Sequence, residues 1–168
     1  DGERIEWELT LPGTGAPGVL LPFAIHDLTP RALRIAPSAS VTGGPLTGIA
    51  AVVLGVADLD GAARLFGKAH GLGAPDRMVD GRFGATLAKF HDAPIVLAAP
   101  LDRQNWLGRR LAQFGPCPCA YALGARDLSA AANALQLHPG AAWFDRRMHW
   151  FDADALDGVR LAVAELTG

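Results

Sequence analysis

The chain has 168 residues, half of them apolar, and a formal net charge of -2 at pH 7. A chain of this length and composition can bury about two-thirds of the surface that it exposes when unfolded, so we expect a stable core. Lys and Arg are scattered, and the longest apolar run (47–57) is too short to cross about 30 Å of hydrocarbon, so we expect neither a nucleic-acid nor a membrane partner.

The first predicted element in chain order is a β hairpin at 1–27. Two of its segments, 4–7 and 18–21, are similar to residues 147–150 and 158–161 near the other end of the chain. We therefore interpret the hairpin as the tail of a module that belongs to a longer parent chain. Two strands alone leave an apolar edge, so we expect either a homodimer or association with the missing modules of that parent chain.

Residues 28–45 are rich in Pro, Ser, Thr and Gly and predict a linker. An internal repeat follows. The motif Leu-Gly-x-x-Asp-Leu-x-x-Ala-Ala at 54–63 recurs at 123–132, an offset of 123 - 54 = 69 residues. In each copy an apolar run predicts a strand, Asp58 or Asp127 predicts a helix cap, and the next residues carry an apolar helical stripe.

Three strand-like runs follow each of these helices. They lie at 77–79, 84–90 and 94–99 after the first helix, and at 141–145, 147–152 and 159–166 after the second. The sequence therefore predicts two βαβββ modules, at 46–101 and 116–168. The intervening residues 102–115 have apolar side chains at helical spacing and end in a glycine, which predicts a linking helix.

The order of these motifs resembles the vicinal-oxygen-chelate superfamily, which includes glyoxalases, extradiol dioxygenases, epimerases and bleomycin-resistance proteins. The two strand-Asp-Leu-helix openings carry the resemblance, together with Arg147-x-x-Trp150 and Gly158-Val159-x-Leu161. The resemblance implies an α+β fold in which two βαβββ modules form a curled mixed sheet with helices outside. Here a two-strand hairpin from a partial third module would precede them.

In that superfamily a divalent metal at the centre of the curled sheet chelates two substrate oxygens. The resemblance places its ligands on the first and last strand of each module. These positions hold Ala51 and Val96 in the first module and Ala120 and Ala162 in the second, with Pro22 in the partial copy. None of these side chains has a donor atom. We therefore expect no metal site in these modules and no other cofactor.

Strand alternation predicts which residues line the floor of the cleft. They are Ala51, Val53, Ala120, Ala122, Arg160 and Ala162. This small, mostly apolar floor either accepts a flat apolar ligand or is filled by larger side chains from neighbouring strands. The sequence leaves both alternatives open.

Residues 143–150 form the densest cluster of polar and aromatic side chains. Within it Arg147, His149 and Trp150 are candidates for a clamp on a carboxylate or an aromatic ring, with His149 as a base near neutral pH. We favour the alternative of an ordinary strand pair, with Arg147 bound to a nearby carboxylate. No catalytic residue is identified. The dipeptides at 26–27 and 91–92, each His-Asp, are interpreted as surface turns.

The two cysteines, Cys117 and Cys119, are separated by one residue, a spacing that rarely gives disulfide geometry. A metal or redox role is one reading of this pair. We prefer two small side chains at the start of a strand, because the chain has no second cysteine pair. Reduced thiols suit a cytoplasmic location.

Together these features predict a glyoxalase-like domain that binds a small molecule without a metal, as part of a longer chain. One alternative is a metal-dependent lyase, isomerase or dioxygenase of the superfamily, whose metal ligands come from the missing modules or a partner subunit. A further alternative is a structural dimerisation half with a filled cleft. Whether the chain is an enzyme stays open at this point.

Overall fold

The computed structural model describes residues 3–12, 20–38, 44–144, 146–156 and 159–166. The chain divides into two compact units, Asp1–Gly44 and Pro45–Gly168. None of the described helices is long and apolar enough to cross a membrane.

The smaller unit contains an antiparallel hairpin of β1 (Trp7–Thr10) and β2 (Ala24–Asp27), followed by the one-turn helix α1 (Arg31–Arg34). The predicted hairpin is therefore confirmed, but the predicted position of its second strand, 18–21, is wrong. Residues 20 and 21 are not in a strand, and 18 and 19 lie outside the described residues. Pro22 cannot donate a backbone hydrogen bond, so strand pairing begins only beyond it.

The His-Asp dipeptide at 26–27 lies in β2, so its interpretation as a turn is wrong. The carboxylate of Asp27 accepts two hydrogen bonds from the Arg34 guanidinium, at 2.6 and 2.8 Å. This bidentate pair joins α1 to the hairpin and lowers the pKa of Asp27. Asp27 of this dipeptide therefore helps to hold α1 against the hairpin.

The larger unit contains the two predicted modules. The first consists of β3 (Leu46–Gly55), α2 (Leu59–His70), β4 (Asp76–Asp80), β5 (Ala85–Lys89) and β6 (Ile95–Pro100). The linking helix α3 spans Trp106–Phe114. The second module consists of β7 (Cys117–Ala125), α4 (Leu128–Leu135), β8 (His138–Pro139), β9 (Met148–Trp150) and β10 (Arg160–Glu165).

These eight strands form one curled mixed sheet in the order β4-β5-β6-β3-β7-β10-β9-β8. The first strands of the two modules, β3 and β7, are antiparallel neighbours at the centre. The last strand of each module runs parallel to its first strand, β6 beside β3 and β10 beside β7. The α+β class and the two βαβββ modules in a mixed sheet are thus confirmed.

Both predicted helix caps are present. The Asp58 carboxylate accepts the Gly61 N–H at 2.9 Å, and the Asp127 carboxylate accepts the Ala130 N–H at 2.9 Å. Each aspartate satisfies a donor that the first turn of its helix leaves without a backbone partner.

One predicted strand of the second module is wrong. Residues 141–145 are predicted to form a strand, but 141–144 belong to none of the strands and residue 145 lies outside the described residues; the strand after α4 is the two-residue β8. A proline usually argues against a strand, but β8 lies at the edge of the sheet, where the missing N–H of Pro139 is tolerated. Beyond it, Trp143 and Arg146 exchange two backbone hydrogen bonds of 2.9 Å and form a tight turn.

Helices α2 and α4 cover the convex face of the sheet. Phe66 of α2 is fully buried, with its ring centroid 6.1 Å from that of Phe90, and α4 packs Leu128 and Ala131 against Val163 of β10. The linking helix α3 instead lies over one end of the concave face. Its Leu107 approaches Gly55 so closely that a Cβ at residue 55 would lie 2.9 Å from Leu107 Cδ1.

Candidate functional site

The concave face is filled at the end nearest α3. Four aromatic side chains, Phe83, Trp106, Trp143 and Trp150, lie over the floor there. Phe83 is at the centre, with ring centroids 5.0, 4.9 and 5.5 Å from the three tryptophans in that order. The Trp106 indole N–H donates to the Phe83 carbonyl, which fixes one of these rings against the backbone. We call these four side chains the aromatic plug.

The other end of the concave face is an open cavity of about 330 Å³. Its floor is made by small side chains of the central strands, which include Ala50, Ala51 and Ala122. Ala51 lies opposite Ala122 in the β3–β7 pairing, and a register shift between Ile49 and Ala51 brings the adjacent Ala50 to the cavity as well. The cavity size is at the lower end of the range for drug-sized ligands, about 300–1,000 Å³.

One wall of the cavity comes from the turn between Trp143 and Arg146. Trp143, Phe144 and Met148 supply aromatic and thioether surface there. Phe144 has a φ of 47°, in the left-handed region that a bulky non-glycine residue rarely adopts. The strained backbone places the Phe144 ring at the cavity, and strain of this kind is often retained at binding sites.

The rim of the cavity carries charged groups. Lys89, His91, Asp92 and Arg146 all border it. Lys89 Nζ lies 5.9 Å from the centroid of the Phe144 ring, within the range of a cation–π contact. His91 Nε2 lies 3.0 Å from a carboxylate oxygen of Asp76. The cavity thus combines an apolar floor and an aromatic wall with a polar mouth.

The predicted floor residues divide between the two ends. Ala51 and Ala122 line the cavity. Val53, Ala120 and Ala162 are at most 1% exposed and belong to the core that contains the aromatic plug. The concave face is therefore filled at one end and open at the other.

Arg160, the remaining predicted floor residue, lies beneath the plug. Its guanidinium carbon is 4.2 Å from the centroid of the Trp106 ring, and burial lowers its pKa from the ordinary value. It borders a second, smaller cavity of about 140 Å³ together with Trp150. Arg160 therefore stabilises the filled end of the concave face rather than lining the larger cavity.

The three predicted clamp residues do not converge. The Arg147 guanidinium donates to the Glu165 carboxylate at 2.8 and 2.6 Å on the exposed surface, and the contact raises the pKa of Arg147 and lowers that of Glu165. His149 pairs with Val163, which packs under α4, so its side chain is on the convex face. Trp150 belongs to the aromatic plug, and none of the three lines the larger cavity.

Among the described residues, no group of three or more His, Cys, Asp or Glu side chains is placed to hold a metal ion. The four positions where the superfamily places its ligands do not fit one either. Ala51 and Val96 line the cavity, whereas Ala120 and Ala162 are fully buried, and none of the four offers an oxygen, nitrogen or sulfur atom.

The predicted site residues do not include Lys89, Phe144 or Arg146, although Phe144 and Arg146 lie within the polar and aromatic cluster at 143–150. Alternation within β5 carries a signal for Lys89, because Ala85 and Leu87 on the same face belong to the concave core. For the wall, the signal is the cluster at 143–150, but that cluster does not show which of its side chains face the cavity. The left-handed backbone at Phe144 is not expected of a phenylalanine, so the direction of the turn could not be read from the residues.

Solved structures with this architecture include methylmalonyl-CoA epimerases. The enzyme from Mycobacterium tuberculosis has a TM-score of 0.63 and 21% identity, covering 75% of this chain and 92% of that one. A variant of the Streptomyces coelicolor epimerase in complex with 2-nitronate-propionyl-CoA has a TM-score of 0.62 and 19% identity, covering 73% and 99%. A hypothetical protein from Bacillus halodurans has a TM-score of 0.59 and 12% identity, covering 71% and 94%.

The chain has the vicinal-oxygen-chelate fold. No protein-family model matches the sequence, and no curated protein matches it. Identities of 12–21% establish the shared fold alone, and fold does not determine chemistry in an architecture that supports many reactions. The function therefore has to be argued from the cavity.

Proposed function

We propose that this chain is a vicinal-oxygen-chelate domain that binds a small, flat, largely apolar molecule without the help of a metal ion. The observation that carries the proposal is the cavity of about 330 Å³ on the concave face. Its location between the two modules supports a binding role, since open clefts with apolar walls and a few polar groups are the usual small-molecule sites.

The shape of the site supports a flat ligand. Ala51, Ala122 and Ala164 form a floor without bulky side chains, and the indole of Trp143 and the ring of Phe144 face the same space. Aromatic walls favour planar ligands through stacked or edge-on contacts, each worth about 0.5–1.5 kcal/mol beyond the area that it buries. A molecule of one or two fused rings suits this volume.

The test is the binding of 2-naphthamide, a neutral two-ring probe, measured by ligand-observed NMR and by calorimetry. We expect saturable binding to the unmodified chain. Ala51→Leu adds bulk to the floor and should weaken the affinity at least fivefold. Ala74→Leu makes the same change at an exposed residue outside the cavity and should leave the affinity unchanged. Absence of binding, or equal affinities for both variants, would overturn the proposal.

Elemental analysis of the purified chain tests the metal-free part of the proposal. We expect no stoichiometric metal, because the four superfamily positions hold only Ala and Val. One equivalent of a divalent metal bound by this chain would favour a lyase, isomerase or dioxygenase instead.

We also propose a cytoplasmic location for the domain, because Cys117 and Cys119 are free thiols, as in a reducing compartment.

We propose self-association through the hairpin as a second role. Trp7 and Leu9 lie on one face of β1, and Ile25, opposite Leu9, lies on the same face of β2. These side chains are 51%, 51% and 38% exposed. The alternation continues beyond the strand ends with further exposed apolar side chains: Ile5, Leu11 and Phe23.

The size of this apolar face suits a second copy of the chain. Six large apolar side chains, each about half exposed, present on the order of 500 Å² per copy. Two copies would bury about 1,000 Å², the lower limit for a specific interface. In sedimentation experiments we expect a dimer that Leu9→Lys converts to monomer, while Val79→Lys, at a 62% exposed position of β4, leaves it intact. A monomer at high protein concentration would overturn this role.

A further inference from the structure

We infer that Lys89 and Arg146 make the cavity selective for anions, so that its ligand is a flat apolar acid with a carboxylate or similar group at the mouth. This inference rests on the proposed binding function and names its ligand class. Both side chains border the cavity, and they come from different modules, so the anion would be held between the two halves of the sheet.

Lys89 is half-buried and lies on the concave face, opposite the cavity residue Val96 in the β5–β6 pairing. One acidic candidate for an ion pair is Asp76, which lies directly opposite Lys89 in the β4–β5 pairing. That carboxylate is already bound by His91 Nε2 at 3.0 Å. Among the described residues Lys89 forms no ion pair, and its ammonium group lies over the face of the Phe144 ring.

Arg146 is half-buried at the other side of the cavity. Its backbone is fixed by the two hydrogen bonds with Trp143, whereas its guanidinium has no ion pair or hydrogen bond within the described part of the chain. The neighbouring Arg147 is different, because Glu165 holds its guanidinium with two hydrogen bonds. A guanidinium without a partner beside an apolar cavity can receive a carboxylate with two parallel hydrogen bonds.

The charges around the mouth favour an anion. Among the described residues that border the cavity, Asp92 is the acidic one, and it is exposed to solvent, which screens its charge. Lys89 and Arg146, the two cations at the cavity, are half-buried. The adjacent apolar floor strengthens their attraction for an anion. A neutral ligand would leave both cations partly dehydrated without compensation, and a cationic ligand would be repelled.

The experiment compares 2-naphthoate with 2-naphthamide, which share the ring system and differ in charge. We expect the acid to bind at least about tenfold more tightly than the amide, because hydrogen bonds to charged groups are the stronger kind. Raising the salt concentration should weaken the binding of the acid and leave that of the amide unchanged.

Substitutions locate the origin of this preference. Lys89→Met and Arg146→Gln should each weaken naphthoate binding about threefold to tenfold, and the double variant should bind acid and amide equally. Arg147→Gln is the matched control, because it removes the same charge from the next residue, which lies outside the cavity. Arg146→Lys keeps the charge and should retain most of the preference, and melting temperatures verify that each variant is folded.

The outcomes separate this inference from the function on which it rests. If both ligands bind equally, and Ala51→Leu weakens both, the cavity binds small molecules but does not select anions, and the inference is overturned. If Arg147→Gln weakens naphthoate binding as much as Arg146→Gln does, only the net charge matters, which also overturns it. If neither ligand binds, the proposed function itself fails.

Discussion

The indole N–H of Trp143 donates a hydrogen bond of 2.7 Å to the carboxylate of Asp80, and this buried contact joins the two modules. The other oxygen of that carboxylate accepts the backbone N–H groups of Arg82 and Phe83, at 2.9 and 3.0 Å. Asp80 therefore organises the β4–β5 turn and holds in place one side chain that belongs both to the aromatic plug and to the cavity wall.

Asp80→Ala should lower the free energy of unfolding by about 2–3 kcal/mol, because it leaves buried N–H donors without an acceptor. Trp143→Phe removes one donor together with part of a buried ring, and it should also lower the free energy of unfolding. Because Asp80 and Trp143 are in contact, we expect the double variant to be less destabilised than the sum of the two single ones, as measured by urea unfolding.

Asp102→Ala is the matched control for Asp80. Asp102 also accepts a backbone hydrogen bond two residues along the chain, from Gln104 at 2.8 Å, but it is exposed. Water can replace that acceptor, so we expect a loss below about 0.5 kcal/mol. Equal losses at residues 80 and 102 would mean that the contact between the modules contributes nothing.

The repeat could be read from the sequence because its determinants are local. Asp58 and Asp127 each follow an apolar run and precede a helical stripe, and a helix cap depends on little else. The edge strand at Pro139 could not be predicted, since its proline is tolerated only because of the strand's place in the sheet.

The candidate site depended on longer-range packing. The small floor residues at 51 and 122 were predicted, but which part of the floor stays open is decided by rings that come from distant segments. The wall depends on the backbone of Phe144, which no local preference favours. A sequence can therefore indicate an apolar floor without indicating what covers it.

Removing either predicted helix cap should lower the free energy of unfolding by a similar amount, because each module begins its helix with the same kind of aspartate cap. Asp58→Ala and Asp127→Ala should each lower the free energy of unfolding by about 1 kcal/mol, since each leaves one helix N–H without its acceptor. The corresponding Asp→Ser variants keep an acceptor and should recover most of the loss. In urea unfolding, a negligible loss at either site would argue against the equivalence of the two modules.

The Cys119 thiol should make stability depend on alkaline pH. Burial raises its pKa to about 12 from an ordinary value of 9.0. Below pH 9 the thiol is protonated in both the folded and the unfolded chain, and above it the unfolded chain releases a proton that the folded chain retains. Stability should therefore fall as the pH rises above about 9, by up to about 1.4 kcal/mol per unit.

The measurement is urea unfolding between pH 8 and 10.5 in the presence of a reductant. Other groups also titrate there, so the informative quantity is the difference between the unmodified chain and Cys119→Ala, which lacks the buried thiol. That difference should shrink as the pH rises, and Cys117→Ala should preserve the slope of the unmodified chain. Parallel curves for the unmodified chain and Cys119→Ala would show that the buried thiol does not contribute.

The strained backbone at Phe144 should serve ligand binding rather than stability. In Phe144→Gly, glycine adopts the left-handed conformation without strain, which raises the free energy of unfolding by about 1 kcal/mol. The loss of the partly buried ring lowers it by a similar amount. We therefore expect the free energy of unfolding to change by less than about 1 kcal/mol. Binding of 2-naphthoate should weaken at least fivefold, because the ring lines the cavity.

Gln136 provides the control for this prediction. It has a φ of 54° at the C-terminal end of α4, so it carries the same kind of strain outside the cavity. Gln136→Gly should stabilise the chain by about 1 kcal/mol in urea unfolding and leave naphthoate binding unchanged, because no cavity wall is lost. If Phe144→Gly likewise stabilises the chain and leaves the affinity unaltered, the Phe144 ring is not part of the binding site.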